Sequence, residues 1–339
     1  MQTLDTRNRP LRNLRLSVTD RCNLRCSYCM PEEHYSWLPK DHLLTFEEIG
    51  RTVDAFLELG VDHVRITGGE PLLRRGLPNL IANLASKPRI RDLAMTTNGL
   101  LLEEHAEALS RAGLGRVTVS IDTLRPATFE ALTRRTGLEQ TLDGIRAAAR
   151  WWPGKLKLDS VVMRGTNDEE VCELLEYGRE VGAEVRLIEY MDVGGATRWS
   201  MDQVVTRDDL LATIAARYGE VTPLDEQTSA PADRWRLRDG TVFGIISSTT
   251  APFCGSCDRS RLTADGHWLL CLYARLGIDL REPLRAGGTT AQLAEIIART
   301  WTGRTDRGAE ERLEQEQRLP LAQGDLARDP HLEMHTRGG

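Results

Sequence analysis

No apolar run in this 339-residue chain approaches the ~20 residues that a bilayer-spanning helix needs. The opening stretch, Met1 to Pro10, is polar and lacks the apolar centre of a secretory signal. An excess of positive charge is also missing. Forty-four Lys and Arg stand against fifty Asp and Glu, for a net charge of -6. That excludes a protein built to coat nucleic acid, but it leaves room for a local basic pocket. There is no low-complexity tract and no internal repeat beyond a β–α unit. The seven cysteines are odd in number and clustered, which argues against a disulfide framework. The expected setting is therefore a reduced cytoplasm, where thiolate ligands survive. A 40% hydrophobic and 28% charged composition is that of an ordinary globular protein. The length suits one large α/β domain with a smaller second one.

What the chain does have is a tight group of cysteines near its start. Cys22, Cys26 and Cys29 fall in the run Asp20-Arg21-Cys22-Asn23-Leu24-Arg25-Cys26-Ser27-Tyr28-Cys29. The spacing is C-x3-C-x2-C, with an aromatic residue just before the third cysteine. Three thiolates this close can hold three corners of a [4Fe–4S] cube and leave one iron open to bind a small molecule. A structural zinc site is the competing reading. Zinc knuckles usually add a second C-x2-C pair nearby, and none lies near this one.

From about residue 14 to 220, short β-rich runs alternate with amphipathic helical runs. Strands are expected at 14–19, 63–67, 92–97, 116–121, 155–162 and 184–190, each rich in Val, Ile, Leu or Thr and bounded by turn residues. Thr45 with Glu48 reads as a capping box for a helix carrying Phe46, Ile49, Val53, Phe56 and Leu57, stopped by Gly60. Thr166 with Glu169 reads as a second capping box, for a helix ended by Gly182. Regular β–α alternation implies parallel strands with right-handed crossovers. Six units fit an incomplete (β/α)6 TIM-like barrel, with functional residues at the C-terminal ends of the strands. The first cysteine run lies there. So do Gly68-Gly69-Glu70-Pro71, Thr96-Thr97-Asn98-Gly99, Ser120-Ile121-Asp122 and Met191-Asp192. The two glycines allow close backbone approach to a ligand, and Glu70 can accept from a cation.

Near residue 222 the composition changes. Pro223, Ser229, Ala230 and Pro231 read as a linker, dividing a barrel over 1–222 from a smaller α+β domain over 223–339 that closes the barrel mouth. A hairpin is expected from 235–238 and 242–247 around Asp239-Gly240, and a helix near 291–300. Cys254 and Cys257 form C-x2-C, and Cys271 follows. Alone, this second trio leaves two readings open: a zinc ribbon with a distant fourth ligand such as His267, or a second iron–sulfur site. Cys172 lies beside the apolar stripe of its helix and reads as a small, partly buried residue with no ligand role.

The chain resembles the GTP 3′,8-cyclase family of radical S-adenosylmethionine (SAM) enzymes, which act in molybdenum cofactor biosynthesis. The resemblance rests on Leu14 through Cys22, Arg65-Ile66-Thr67-Gly68-Gly69-Glu70-Pro71-Leu72, Thr96-Thr97-Asn98-Gly99-Leu100 and Ile188-Glu189-Tyr190-Met191-Asp192-Val193-Gly194. It also includes Cys254-x2-Cys257-x-Arg259-x-Arg261-Leu262 and the terminal Gly338-Gly339. It implies two [4Fe–4S] clusters, on Cys22, Cys26 and Cys29 and on Cys254, Cys257 and Cys271, with SAM as cofactor. Tyr28, Gly69, Ser120 and Met191 would line the SAM site. Arg15, Arg65, Thr96, Lys157, Arg259 and Arg261 would hold the GTP triphosphate, a role that suits the planar guanidinium fork. The resemblance further implies that a 5′-deoxyadenosyl radical takes hydrogen from C3′ of the ribose, and that the carbon radical then attacks C8 of guanine bound at the second cluster.

By the same resemblance, Gly338 and Gly339 reach the catalytic site. Arg337 departs from the pattern, since relatives commonly carry an apolar residue there. An electron donor, and cyclic pyranopterin monophosphate synthase downstream, are the implied partners of a monomer or homodimer, with neither nucleic acid nor membrane involved. Two alternatives stay in view: a peptide-modifying radical SAM enzyme with an auxiliary cluster, and a non-catalytic zinc-binding protein.

Overall fold

A computed structural model describes residues 2–225 and 229–338. Six parallel strands form its centre: β1 (Asn13–Ser17), β2 (His63–Thr67), β3 (Asp92–Thr97), β4 (Arg116–Ser120), β5 (Leu156–Val162) and β6 (Glu184–Glu189). All six coincide with the expected β-rich runs to within two residues. Alternation along each strand sorts its side chains between two faces. Leu14 and Leu16 on β1 are fully buried in the main apolar core, as are Val64 and Ile66 on β2. Arg15 and Arg65 stand between them, on the opposite face. The crossover helices cover the apolar face, and each parallel connection follows the expected β–α order.

The helix Phe46–Glu58 carries the expected capping box. Thr45 Oγ1 accepts from the Glu48 amide, and Glu48 accepts from the Thr45 amide. The second expected box does not form. Asn167, not Thr166, organises that turn, by accepting from the Met163 amide and donating to the carbonyls of Asp122 and Val161. A short 3-10 turn, Asp168–Glu170, then leads into the helix Val171–Glu180. A neighbouring side chain that bonds three backbone groups at once outweighs one Thr–Glu exchange.

The described residues form one twelve-stranded sheet. Its remaining strands are β7 (Val221–Leu224), β8 (Asp233–Leu237), β9 (Val242–Ile246), β10 (Arg259–Leu262), β11 (His267–Leu269) and β12 (Ile278–Asp279). The order is β12-β11-β10-β1-β2-β3-β4-β5-β6-β9-β8-β7. β9 lies parallel beside β6, and β10 lies parallel beside β1. Strands from the last third therefore extend both sides of the incomplete barrel. The hairpin around Asp239-Gly240 is present as β8–β9, with Gly240 at φ 89. Pro223 is not in a linker: it sits in β7, opposite Trp235. Part of the expected linker, 226–228, lies outside the described residues.

The helix Thr290–Thr302 fastens this last third to the barrel. It buries Trp301 against Trp268, whose ring centroid lies 6.4 Å away, and Trp268 meets Phe56 of the helix Phe46–Glu58 edge-on at 5.4 Å. No helix among the described residues is long and apolar enough to cross a membrane. Beyond the 3-10 turn Pro330–Leu332, the short helix Met334–Arg337 runs to Gly338 beside β1 and β2.

Candidate active site

A cavity of about 340 Å³ runs along the inner face of the parallel strands, from the loops at their C-terminal ends to Cys254 and Cys257 ahead of β10. All six clustered cysteines line it. Cys22, Cys26 and Cys29 come from the loop after β1; Cys254 and Cys257 precede β10, and Cys271 follows β11. Cys172 is not part of the lining.

Neither trio gathers its three sulfurs within 4.8 Å of one another among the described residues. Four donors around one zinc, at Zn–S ~2.3 Å, would stand only about 3.8 Å apart. The sulfurs are more widely spread than the donors of one zinc ion.

The loop holding the first trio is pinned from several sides. Backbone bonds run from the Gly69 amide to the Thr19 carbonyl at 2.8 Å and from the Glu70 amide to the Arg21 carbonyl at 2.7 Å. A Cβ on Gly69 would lie 2.3 Å from the Arg21 carbonyl oxygen, so only glycine permits that approach. The glycine pair thus meets the cysteine loop as well as the cavity. Glu70 does not face the cavity. Its carboxylate accepts from the amides of Leu72 and Asn98 and from Thr97 Oγ1, and burial still pushes it up to about 7. The expected cation-accepting role therefore gives way to a structural one. Tyr28 donates from Oη to Asp122 Oδ2 at 2.7 Å, tying the cysteine loop to the end of β4. Burial pushes Asp122 up to about 6.

The two trios differ in electrostatics. Burial, reinforced by the Glu70 carboxylate, pushes the Cys22 thiol up to about 11, and burial likewise raises Cys26 and Cys29. In the second trio, burial and then Asp306 raise Cys271 to about 11. Cys257 goes the other way. Burial opposes its ionisation, but Arg259 and Arg304 outweigh that and bring it down to about 7. Their guanidiniums lie 3.6 Å and 3.8 Å from its sulfur. Both sites carry thiols whose ionisation awaits a cationic partner, as metal-ligating thiols do.

Between the trios, strand register assembles a cationic layer. Arg15 on β1 stands directly opposite Arg261 on β10 and Arg65 on β2, and Arg259 lies two residues along β10. Burial, then the neighbouring Arg261 and Arg259, hold the Arg15 guanidinium well below its usual range. Burial and then Arg259 bring Arg261 down to about 10. Like charges crowded in this way favour a bound polyanion. Arg15, Thr96, Arg259 and Arg261 line the cavity. Arg65 and Lys157 do not. Arg65 donates to Thr96 Oγ1 at 3.0 Å and Thr118 Oγ1 at 3.1 Å, and Lys157 sits 3.4 Å from a Glu184 oxygen. The four residues expected at the SAM site, Tyr28, Gly69, Ser120 and Met191, all line the cavity.

The tail enters the same space. Gly338 takes φ 68, and a Cβ there would lie 2.1 Å from Thr67 Oγ1. Its carbonyl accepts from Arg261 Nη1 at 2.8 Å. Gly339 lies outside the described residues. Arg337 is buried and points away from solvent. Its guanidinium donates to the carbonyls of His331 and Ala274, at 2.5 Å and 2.6 Å, and to that of Leu272.

Several residues at the site had no sequence signal of their own. Arg304 lies 47 positions beyond Cys257, in an unremarkable stretch after a helix. Tyr273 donates its amide to Cys271 Sγ and its Oη to Asp192. Its place two positions after Cys271 was the available cue. Glu189 had been noted only as part of a motif. It accepts from the amides of Arg207, Thr249 and Thr250 and from Thr250 Oγ1, joining the end of β6 to the loop after β9.

Sequence comparison places this geometry among known proteins. Residues 16–178 match the Radical SAM superfamily, and residues 183–310 match Molybdenum Cofactor Synthesis C. GTP 3′,8-cyclase 1 of Mycobacterium tuberculosis (strain H37Rv) is 54% identical over 342 residues, covering 99% of this chain and 95% of the relative. GTP 3′,8-cyclase of Acidothermus cellulolyticus is 47% identical over 319 residues, covering 90% of this chain and 87% of the relative. Among solved structures, Streptococcus suis SuiB bound to S-adenosylmethionine aligns with a TM-score of 0.59 at 15% identity, over 86% of this chain and 69% of that one. The last is a likeness of fold.

Proposed function

The chain belongs to the GTP 3′,8-cyclase family of radical SAM enzymes, and from that premise we propose that it cyclises GTP to (8S)-3′,8-cyclo-7,8-dihydroguanosine 5′-triphosphate, the first step of molybdenum cofactor biosynthesis. One observation carries the reading: two cysteine trios face one cavity with Arg15, Arg259 and Arg261 set between them.

In this reading Cys22, Cys26 and Cys29 hold one [4Fe–4S] cluster, and Cys254, Cys257 and Cys271 hold another. The first cluster, with SAM, supplies one-electron hydrogen abstraction from the ribose. The protein's own part is positional and electrostatic. Tyr28, Gly69, Ser120 and Met191 form the wall against which SAM lies. Arg15, Arg259 and Arg261 neutralise the triphosphate, with Thr96 as a polar contact and Arg65 and Lys157 adding charge from outside the cavity lining. Arg259 also lies over the Phe253 ring at 4.5 Å, which limits its freedom. The guanine falls at the second trio, where Arg304 and Arg259 stabilise thiolate at Cys257. Holding ribose and base at fixed stations matters because ~1 Å of misplacement can cost about a hundredfold in rate. Gly338 approaches Thr67, so the tail takes part in shaping the reacting end. An electron donor feeds the first cluster, and cyclic pyranopterin monophosphate synthase receives the product.

Reconstituted protein, SAM and a reductant, incubated anaerobically with GTP or ATP, test the assignment. 5′-Deoxyadenosine that rises with GTP but not ATP, together with a cyclised isomer of GTP by mass spectrometry, is the expected result. Deoxyadenosine formed regardless of nucleotide would discard GTP and favour a peptide substrate.

A further inference from the structure

Away from the cavity lining, a second set of ligating side chains converges. Asp265 lies in the turn between β10 and β11, His267 opens β11, and His331 belongs to the tail. One donor atom from each falls within 4.8 Å of the others. His331 Nε2 is 2.8 Å from Asp265 Oδ2, and His267 Nδ1 is 3.3 Å from the same oxygen.

The geometry points to a mononuclear transition-metal site, of the kind zinc(II) fills, on Asp265, His267 and His331, stapling the C-terminal tail to the β10–β11 hairpin. Tetrahedral zinc with nitrogen and oxygen ligands at ~2.0–2.2 Å sets those ligands ~3.3–3.6 Å apart, which the 3.3 Å His267 contact matches and the 2.8 Å His331 contact would reach by opening slightly. His267 Nδ1 is buried and makes no hydrogen bond, although it lies beside the carboxylate. An imidazole nitrogen held against an anion without a bond of its own is suited to a cation between them.

The supporting groups also follow the pattern of a metal site. Thr263 Oγ1 donates to Asp265 Oδ1 at 2.6 Å, leaving Oδ2 for the imidazoles. His331 Nδ1 lies 3.2 Å from Asp329 Oδ1, the carboxylate contact that fixes a ligating imidazole through its second nitrogen. The two rings face each other with centroids 4.0 Å apart. Arg337 reaches only the backbone carbonyl of His331, and the cation beside the Asp265 carboxylate is Arg281. Its Nη1 is 4.0 Å from Asp265 Oδ2, while its Nη2 pairs with Asp279 at 3.1 Å. Asp265, Asp279 and Asp329 outnumber it.

The consequence is mechanical. The hairpin carries Arg259 and Arg261 on β10, and Cys271 follows β11. His331 precedes Gly338 by seven residues. A metal across Asp265, His267 and His331 therefore joins the strand that bears the cationic layer to the segment whose Met334 and His335 line the cavity.

The test uses holoprotein with its clusters reconstituted, incubated with zinc(II) and desalted. Metals are then counted at equal iron in wild type, in a His267→Ala/His331→Ala variant and, as a milder change, in Asp265→Asn. Wild type is expected to keep about one zinc more than either variant, and Asp329→Asn to bind zinc about ten- to a hundredfold more weakly. Zinc should slow amide exchange over residues 330–338 in wild type alone. Equal zinc retention in wild type and variants overturns the site. Zinc retained without slower exchange overturns the staple.

Discussion

Arg261 donates from Nη1 to the carbonyl oxygen of Gly338 at 2.8 Å. It also approaches the Arg337 carbonyl, at 3.3 Å. One guanidinium therefore belongs both to the cationic layer opposite Arg15 and to the clamp on the tail. Removing it should have two effects. Arg261→Ala is expected to weaken GTP binding by about ten- to a hundredfold, from charge-assisted bonds of ~1.5–3 kcal/mol. It should also lower turnover by freeing Gly338. Deleting Gly338 and Gly339 should lower turnover while GTP affinity stays close to wild type. Anaerobic equilibrium binding and product counting separate the two. Unchanged GTP affinity in Arg261→Ala would remove it from the phosphate site.

Arg337 stands where the family resemblance implied an apolar residue, and its environment accepts a guanidinium. Burial, despite nearby Asp329, brings it down to about 10, yet three backbone carbonyls receive its protons. Two of those carbonyls, on Leu272 and Ala274, belong to the loop that follows Cys271. Arg337→Ala leaves them without a donor. An unmet buried acceptor costs about 1–3 kcal/mol, so a total loss of about 2–4 kcal/mol is expected in denaturant melts. Iron at the second trio should also leave faster under a chelator, with the first trio unaffected. Equal rates of iron loss in wild type and variant would rule out the coupling.

Much of this architecture was legible in the chain, for a physical reason. The central strands bury one face in the core and turn the other toward the cavity, so β-rich runs stand out between turns, and Thr45 with Glu48 sits ahead of a clear helical stripe. Short strands such as β11 and β12 carry too few residues to show a period. Their place is set by pairing with β10, not by local preference. Thr166 with Glu169 had the right spacing for a box, but Asn167 outcompeted it with tertiary partners. The six clustered cysteines stood out because their spacing groups them into two trios, and both trios line the cavity. Arg304 could not, because its contact with Cys257 depends on how the helix Thr290–Thr302 docks.

Metal content separates the cluster reading from zinc at both trios. Reconstituted wild type should hold about eight irons per chain, two cubes of four. Replacing Cys254, Cys257 and Cys271 together by Ser should leave about four irons, with SAM still cleaved slowly without GTP. Replacing Cys22, Cys26 and Cys29 should also leave about four irons, but abolish SAM cleavage. Full iron content after removal of either trio would show that it holds no cluster.

Glu70 predicts a pH dependence with a definite sign. Burial raises its folded-state value from 4.5 to about 7, so between those values the folded protein holds a proton that the unfolded chain has released. Stability from this group is complete below the unfolded value and declines as pH rises through about 7. The shift corresponds to about 3 kcal/mol. Asp122 and Glu333, also raised by burial, add slope of the same sign. Glu70→Gln should be less stable throughout, because its amide nitrogen would face the Asn98 amide. Its decline between pH 5.5 and 8 should nonetheless be shallower, roughly by the share that Glu70 contributes. Urea midpoints across that range test it, and parallel curves for the two proteins would contradict the assignment.

Two glycines beside the cysteine trios should respond oppositely to the same small change. A Cβ on Gly195 would sit 2.0 Å from the Cys29 carbonyl oxygen and 2.8 Å from its carbon, both backbone atoms that cannot turn aside. Gly195→Ala must therefore push the first cysteine loop away from the 194–195 turn, at a cost of about 1–3 kcal/mol or more. The displaced residue is a proposed cluster ligand, so the loss should appear as missing iron and weaker SAM binding, with GTP affinity less affected. Gly255, between Cys254 and Cys257, has nothing within 4 Å of where its Cβ would lie, and its φ is not in the left-handed region. Gly255→Ala should thus keep its iron and its turnover. If the two variants lose iron equally, the close packing at Gly195 is not what positions Cys29. If only Gly195→Ala does, the first site depends on a backbone contact that no side chain supplies.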